Sequence, residues 1–258
     1  NFQCKKLKRL NNMTKKKAVI LTGAQGGIGR TITRRLISDG NFVVAIDIND
    51  RGIFLKEKNV ISLSCDISNE EKVQTTFSKI KEEFEWIDAL INLAGINHKS
   101  TIEDMQASQW DQLFYTNVGG MFLTVKHALD LLKASKNPTI INFSSIAGHV
   151  ASKDYPAYVT SKAAVEHFTI GLSQEVSKYG IRVNAVAPGW VNAGFTDTAK
   201  SESESPNQLE DAAKKAHLMG RMAEAKEIAS VVSWLTSSKS KFITGQIIFV
   251  DGGLMRVH

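Results

Sequence analysis

The sequence predicts a single α/β domain, a seven-stranded doubly wound parallel sheet flanked by helices. Short β-branched or apolar runs alternate with longer helical segments, as in a parallel sheet covered on both faces. The first run leads directly into a glycine-rich turn, Thr22-Gly23-Ala24-Gln25-Gly26-Gly27-Ile28-Gly29, and then into a helix. The 258 residues, 43% hydrophobic and 22% charged, supply one sizeable core, and no apolar run reaches the roughly eighteen residues that a membrane span needs.

Along the chain, Ala18–Leu21 reads as the first strand, and Gly27–Ser38 as an amphipathic helix carrying Ile32, Leu36 and Ile37. Phe42–Ile46 is the second strand, with Asp47 at its end. Val60–Ser64 follows, then a helix over Asn69–Phe84. Ala89–Asn92 precedes a long helix, Ser108–Ala134. Thr139–Phe143 precedes another, Ala157–Lys178, and Arg182–Ala187 is the sixth strand. The stretch from Gly194 to Gly220 breaks the rhythm with polar residues, including Ser201-Glu202-Ser203-Glu204-Ser205. Because it leaves a strand's carboxyl end, it is expected to be a mobile lid over a substrate. A helix over Ala225–Thr236 and a strand over Ile247–Val250 complete the pattern. In such a sheet, ligands bind outside the carboxyl ends of the strands.

The formal charge of +6 does not point to nucleic acid. Lys5, Lys6, Lys8, Arg9, Lys15, Lys16 and Lys17 all fall within residues 1–17, which hold no acid, and removing those seven charges leaves the remainder at −1. Residues 1–17 are read as a basic tail and 18–258 as the folded domain. The tail lacks the apolar stretch of a secretory signal, and Met13 is the expected natural start, with an added or alternative extension ahead of it. Cys4 and Cys65 make no disulfide framework, which fits a reducing, cytoplasmic setting. No cation near Cys65 activates it, so it is read as a structural thiol.

Two constellations carry chemistry. In the first, the glycines of the turn let backbone N–H groups approach a pyrophosphate at a helix N-terminus, although Gln25 stands at the second glycine position of the G-x-G-x-x-G fingerprint. Asp47, eighteen residues after Gly29, is placed to accept hydrogen bonds from both hydroxyls of an adenosine ribose and to repel a 2′-phosphate. Its neighbours Ile46 and Ile48 supply no cation, so NAD(H) is expected over NADP(H). In the second, Tyr158 and Lys162 lie four residues apart on a helix, on one face, thirteen residues after Ser145. A cation beside a phenol favours the phenolate, which makes it a usable acid or base near neutral pH.

These residues resemble the short-chain dehydrogenase/reductase family from about Ala18 to Gly253. The resemblance rests on Thr22–Gly29, Asp66, Asn92-Leu93-Ala94-Gly95, Asn117, Ser145, Tyr158-Val159-Thr160-Ser161-Lys162, Pro188-Gly189 and the closing Ile243-Thr244-Gly245-Gln246 and Val250-Asp251-Gly252-Gly253. It implies a Rossmann-type fold. It makes Gly23, Gln25, Gly26, Gly27, Ile28, Gly29 and Asp47 cofactor residues, and Asp66 and Ile67 adenine contacts. Asn92, Ala94 and Gly95 then line the cofactor channel, and Pro188, Gly189 and Val191 its nicotinamide end. It further implies that Tyr158 exchanges a proton with the substrate oxygen while hydride passes to or from the nicotinamide. Lys162 supports the phenolate and bonds the nicotinamide ribose. Ser145 donates a hydrogen bond to the substrate oxygen, and Asn117 holds a water linking Lys162 to solvent. No metal is called for.

Leu93 departs from the family's commoner Asn at that place. Ala193 stands where a carboxamide-binding Thr is usual, which leaves Thr196 as a substitute. Around the substrate, His98, Lys99, Ala147, His149, Val150 and Trp190 are expected, fitting a polar hydroxy or keto small molecule. The resemblance also implies a homotetramer built on the faces of Ser108–Ala134 and Ala157–Lys178. Two alternatives stay open. One is a 3-oxoacyl-thioester reductase, a kind that generally prefers the phosphorylated cofactor. The other is a catalytically silent dinucleotide sensor.

Overall fold

The computed structural model describes residues 17–151, 153–193 and 206–256, the side chains of 206–209 excepted. Nearly all of the basic tail, and the part of the expected lid from Gly194 to Ser205 with Thr196, lie outside the described residues. Seven strands form one wholly parallel sheet: β1 (Ala18–Thr22), β2 (Phe42–Asp47), β3 (Val60–Ser64), β4 (Ala89–Asn92), β5 (Thr139–Phe143), β6 (Arg182–Pro188) and β7 (Ile247–Val250), in the order β3-β2-β1-β4-β5-β6-β7. Among the described residues, no helix is long and apolar enough to cross a membrane.

Alternation along the strands divides the core in two. Ile20, Val44, Leu90 and Ile140 point to one face, where they pack with Val73 and Phe77 of α2 (Glu70–Glu83), Ala128 of α4 (Gly120–Lys133) and Leu172 of α5 (Pro156–Val176). Val19, Leu21, Val43 and Ile91 point to the other, against Ile32 and Leu36 of α1 (Gly27–Ser38) and Ile228, Val232 and Leu235 of α7 (Ala225–Thr236). The chain thus leaves β1 toward one face and returns after β4 along the opposite one. The adjacent ends of β1 and β4 are left open between them, at the point where strand order reverses.

Three elements differ from the sequence expectation. The helix expected over Ser108–Ala134 is two helices, α3 (Ala107–Phe114) and α4, joined by a π turn over Tyr115–Gly119. The described part of the expected lid contains a helix, α6 (Pro206–Ala216). The helix expected to run to Lys178 ends at Val176 and tightens into a 3₁₀ turn, which Gly180 closes in the left-handed region.

A buried polar chain crosses the layers. Thr124 Oγ1 donates to Asn92 Oδ1 at 2.8 Å, Asn92 Nδ2 to Asn142 Oδ1 at 2.9 Å, and Asn142 Nδ2 to Thr169 Oγ1 at 2.9 Å. It joins α4, β4, β5 and α5, and each of its groups would be costly to leave unpaired. Asn142→Ala, which strands Asn92 and weakens the hold on Thr169, is expected to lower stability in urea by about 2–4 kcal/mol. The exposed Lys56→Ala is expected to stay within about 0.5 kcal/mol of the parent. Equal effects from the two would remove the chain's structural role.

Candidate active site

The glycine turn lies at the end of β1. Gly23 has φ +67, and a Cβ there would fall 2.8 Å from the Ala94 backbone; one on Gly29 would fall 2.1 Å from Gly23 O. Gly26 is the N-cap of α1 and supplies no side-chain cap, and the first turn holds no acid. Among the described residues the leading N–H groups therefore have no side-chain cap, and they stand beside a cavity of about 340 Å³ lined by Gly23, Gly26, Gly27, Ile28 and Gly29. Its far wall carries Asp47 and Arg51, and Asp66, Ile67, Ala94 and Gly95 also line it. Asp47 is held by two backbone donors, Gln25 N at 2.8 Å to Oδ2 and Ile48 N at 2.9 Å to Oδ1.

A second cavity, about 120 Å³, shares Ile28, Leu93 and Gly95 with the first and ends on Ser145, Tyr158, Lys162, Pro188, Gly189, Val191 and Ala193. Together the two cavities make one groove along the carboxyl ends of the strands. Ser145 ends the segment after β5, and its hydroxyl accepts from Ala147 N at 3.2 Å and is hydrogen-bonded to the Tyr158 phenol. Lys162, buried one turn along α5 from Tyr158, has its Nζ 5.6 Å from the phenol ring centroid and donates to Phe143 O at 2.8 Å. The π turn buries Asn117, whose side chain accepts from Ile96 N (2.8 Å) and donates to Ile96 O (2.9 Å) and Ser161 Oγ (3.1 Å).

A family model described as "Enoyl-(Acyl carrier protein) reductase" matches residues 23–255. A solved structure from Francisella tularensis, titled as a short chain dehydrogenase family protein, superposes with a TM-score of 0.85 at 26% identity, over 93% of this chain and 99% of that one. The chain belongs to the short-chain dehydrogenase/reductase family. Within the family it is 30% identical over 249 residues to a 3-oxoacyl-(acyl-carrier-protein) reductase of Staphylococcus aureus, covering 92% of this chain and 98% of the relative. The Thermoplasma acidophilum aldohexose dehydrogenase superposes with a TM-score of 0.86 at 32% identity, over 93% and 94% of the two chains. The protein is an oxidoreductase of this family, and the groove fits a nicotinamide dinucleotide. The helix end free of a side-chain cap suits the pyrophosphate, and the Asp47 carboxylate suits a ribose diol.

Several family positions are occupied differently from the sequence expectation. Gln25 does not line the groove. Its buried side chain donates to Asp50 Oδ1 and accepts from Arg51 N, so it fixes the loop after β2. Asn92 is likewise turned into the core by the buried polar chain. His149 lies outside the lining, with Nε2 2.6 Å from Glu166 Oε2 and its ring edge-on to Phe249. Trp190 donates from its backbone to buried His217 Nε2 at 3.3 Å, and its ring meets that imidazole edge-on. His98 is half-buried and Lys99 exposed, and neither lines the two cavities. Asn117 spends both amide hydrogens on protein oxygens, so its side chain clamps the segment after β4 to α5 and has no hydrogen left for a water. Arg51 and Glu166 were not anticipated; the signal for Arg51 was its place four residues beyond Asp47, and Glu166 gave none beyond helical spacing from Lys162.

The electrostatics also differ from the expectation of a phenolate near neutral pH. Burial pushes the Tyr158 phenol up to about 12, against a smaller opposing effect of the Ser145 hydrogen bond, and pulls the Lys162 ammonium down to about 8. Desolvation dominates over the neighbouring cation, which donates to Phe143 O. Folded Lys162 releases its proton near pH 8, the unfolded chain near 10.5. Between those values the unfolded state holds more protons, so this group adds stability as pH rises. Relative to Lys162→Met, the parent is expected to gain roughly 2 kcal/mol in urea between pH 8 and pH 10, and parallel stability curves would reject the desolvated ammonium.

Proposed function

We propose that the protein is an NAD(H)-dependent oxidoreductase that interconverts a secondary alcohol and a ketone on a small polar substrate. The observation that carries this reading is the convergence of Ser145, Tyr158 and Lys162 on one end of a groove whose other end presents Asp47. When bound, the nicotinamide supplies or accepts the hydride. Tyr158, protonated at neutral pH, is loaded to give its proton to a carbonyl oxygen, and in the oxidative direction it takes the hydroxyl proton back. Ser145 has its oxygen oriented by Ala147 N, and its hydroxyl, hydrogen-bonded to the Tyr158 phenol, can turn its hydrogen to stabilise charge on the substrate oxygen. Lys162 adds the positive charge beneath the phenol and is in place for the ribose hydroxyls. The Asp47 carboxylate favours NAD(H), since a 2′-phosphate would meet its charge.

Between an aldohexose and a 3-oxoacyl thioester, substrate classes named for two similar proteins, the first accords better with Asp47 and a non-phosphorylated cofactor. The acyl-thioester reading is favoured by the 30–31% identity to 3-oxoacyl-(acyl-carrier-protein) reductases. The enzyme is read as a cytoplasmic homotetramer, with part of 194–220 serving as the substrate lid. A panel of aldoses, polyols, hydroxy acids and acyl thioesters, followed at the reduced-nicotinamide absorbance with both cofactors, separates these. Tight NADH binding without turnover would favour a sensor.

Tyr158→Phe is expected to reduce turnover by at least about a thousandfold while leaving the NADH dissociation constant within about twofold, read by fluorescence titration. Near-normal turnover in that variant would remove Tyr158 from proton transfer. Asp47→Ala is expected to narrow the ratio of NADPH to NADH dissociation constants by about tenfold or more, and an unchanged ratio would reject the assigned role.

A further inference from the structure

Glu166 lies one turn beyond Lys162 on α5, and none of the chemistry above uses it. Its side chain is only 4% exposed. Oε1 accepts from Ser144 Oγ at 2.6 Å, and Oε2 stands 2.6 Å from His149 Nε2. These two partners bracket Ser145 and the 3₁₀ turn Ile146–Gly148 that Ser145 caps. A Cβ on Gly148 would fall 2.6 Å from Glu166 Oε1, so the turn lies directly against the carboxylate, and a larger residue there would displace the Glu166 side chain. Ser144 Oγ also reaches Lys162 O at 3.3 Å, and His149 is pressed edge-on to Phe249 at 4.8 Å.

A carboxylate taken out of water is costly unless its oxygens are filled. Here both are filled by groups that the catalytic turn brings. The carboxylate belongs to the helix that carries Tyr158 and Lys162; its partners belong to the segment that carries Ser145. We propose that Glu166 is a positioning residue, which, through Ser144 and His149, sets the Ser145 hydroxyl against the Tyr158 phenol. The proposal rests on the alcohol oxidoreductase reading, because that hydroxyl pair is the one that meets the substrate oxygen. Misplacement of such a group by about 1 Å costs up to about a hundredfold in rate.

The test compares Glu166→Ala, which removes both anchors, with Glu166→Gln, which keeps an acceptor for Ser144 and a donor for a neutral imidazole. Ala is expected to lower kcat about tenfold to a hundredfold with the NADH dissociation constant within about twofold of the parent, and Gln to recover kcat to within about threefold. Backbone amide exchange at residues 146–150 is expected to quicken in the Ala variant and not in the Gln variant. A parent-like kcat in Ala, a parallel loss of NADH affinity, or a Gln variant as poor as Ala overturns the proposal. His149→Ala removes one anchor from the solvent side; it is expected to lower kcat several-fold and quicken exchange at the same amides, and no change in either overturns the proposal even if Ala at 166 fails to fold. Exchange needs no substrate, so absence of turnover in the parent would sink the oxidoreductase reading while exchange still decides whether Glu166 holds the turn.

Discussion

The structure depends on one constraint of parallel sheets, that a strand's successor must return over a face of the sheet. Because β1 sends its connection to one face and β4 sends its own to the other, no crossover covers the gap between their carboxyl ends. The glycine turn fills the floor of that gap as bare backbone, with Gly23 against Ala94 and Gly29 against Gly23 at separations that no side chain would tolerate. Thr22 Oγ1, accepting from Ala94 N at 3.2 Å, fixes the two strand ends together. The groove is therefore a consequence of topology, and the side chains only specify what enters it.

Burial governs the chemistry at the catalytic end. The same exclusion of water that raises Tyr158 lowers Lys162, so at neutral pH the phenol is held neutral while the ammonium keeps its charge at a reduced margin. Lys162 finds a carbonyl of β5 as its partner, while burial keeps the phenol protonated and hydrogen-bonded to Ser145. A polar pair drawn largely out of water in this way responds strongly to whatever charge is brought beside it.

Much of this was legible in the sequence, and the parts that were not have a common cause. The strands were legible because two-sided burial demands unbroken apolar runs such as Val19-Ile20-Leu21 and Val43-Val44-Ala45. Ser145, Tyr158 and Lys162 were legible because spacing on one helix and one strand end is local information. What sequence does not carry is which way a polar side chain turns. Asn92 and Gln25 occupy family positions, yet their partners are Asn142, Thr124, Asp50 and Arg51, up to 50 residues away. His149 is captured by Glu166, whose carboxylate lies buried directly against Gly148. The π turn escaped because hydrophobic spacing over Ala107–Lys133 reads as one continuous helix.

That turn opposes regularity to purpose. The Gly120 N–H reaches back five residues to Tyr115 O where an ordinary helix reaches four, so one residue too many is housed between α3 and α4. Deleting it would re-phase everything downstream by about a hundred degrees. The straightened rod would be the more comfortable helix, but Asn117 would swing off Ile96 and release the strand-end segment carrying Gly95. Selection for thermal robustness alone would be expected to erode this irregularity, so its persistence in a lineage would mark a chain still held to its task.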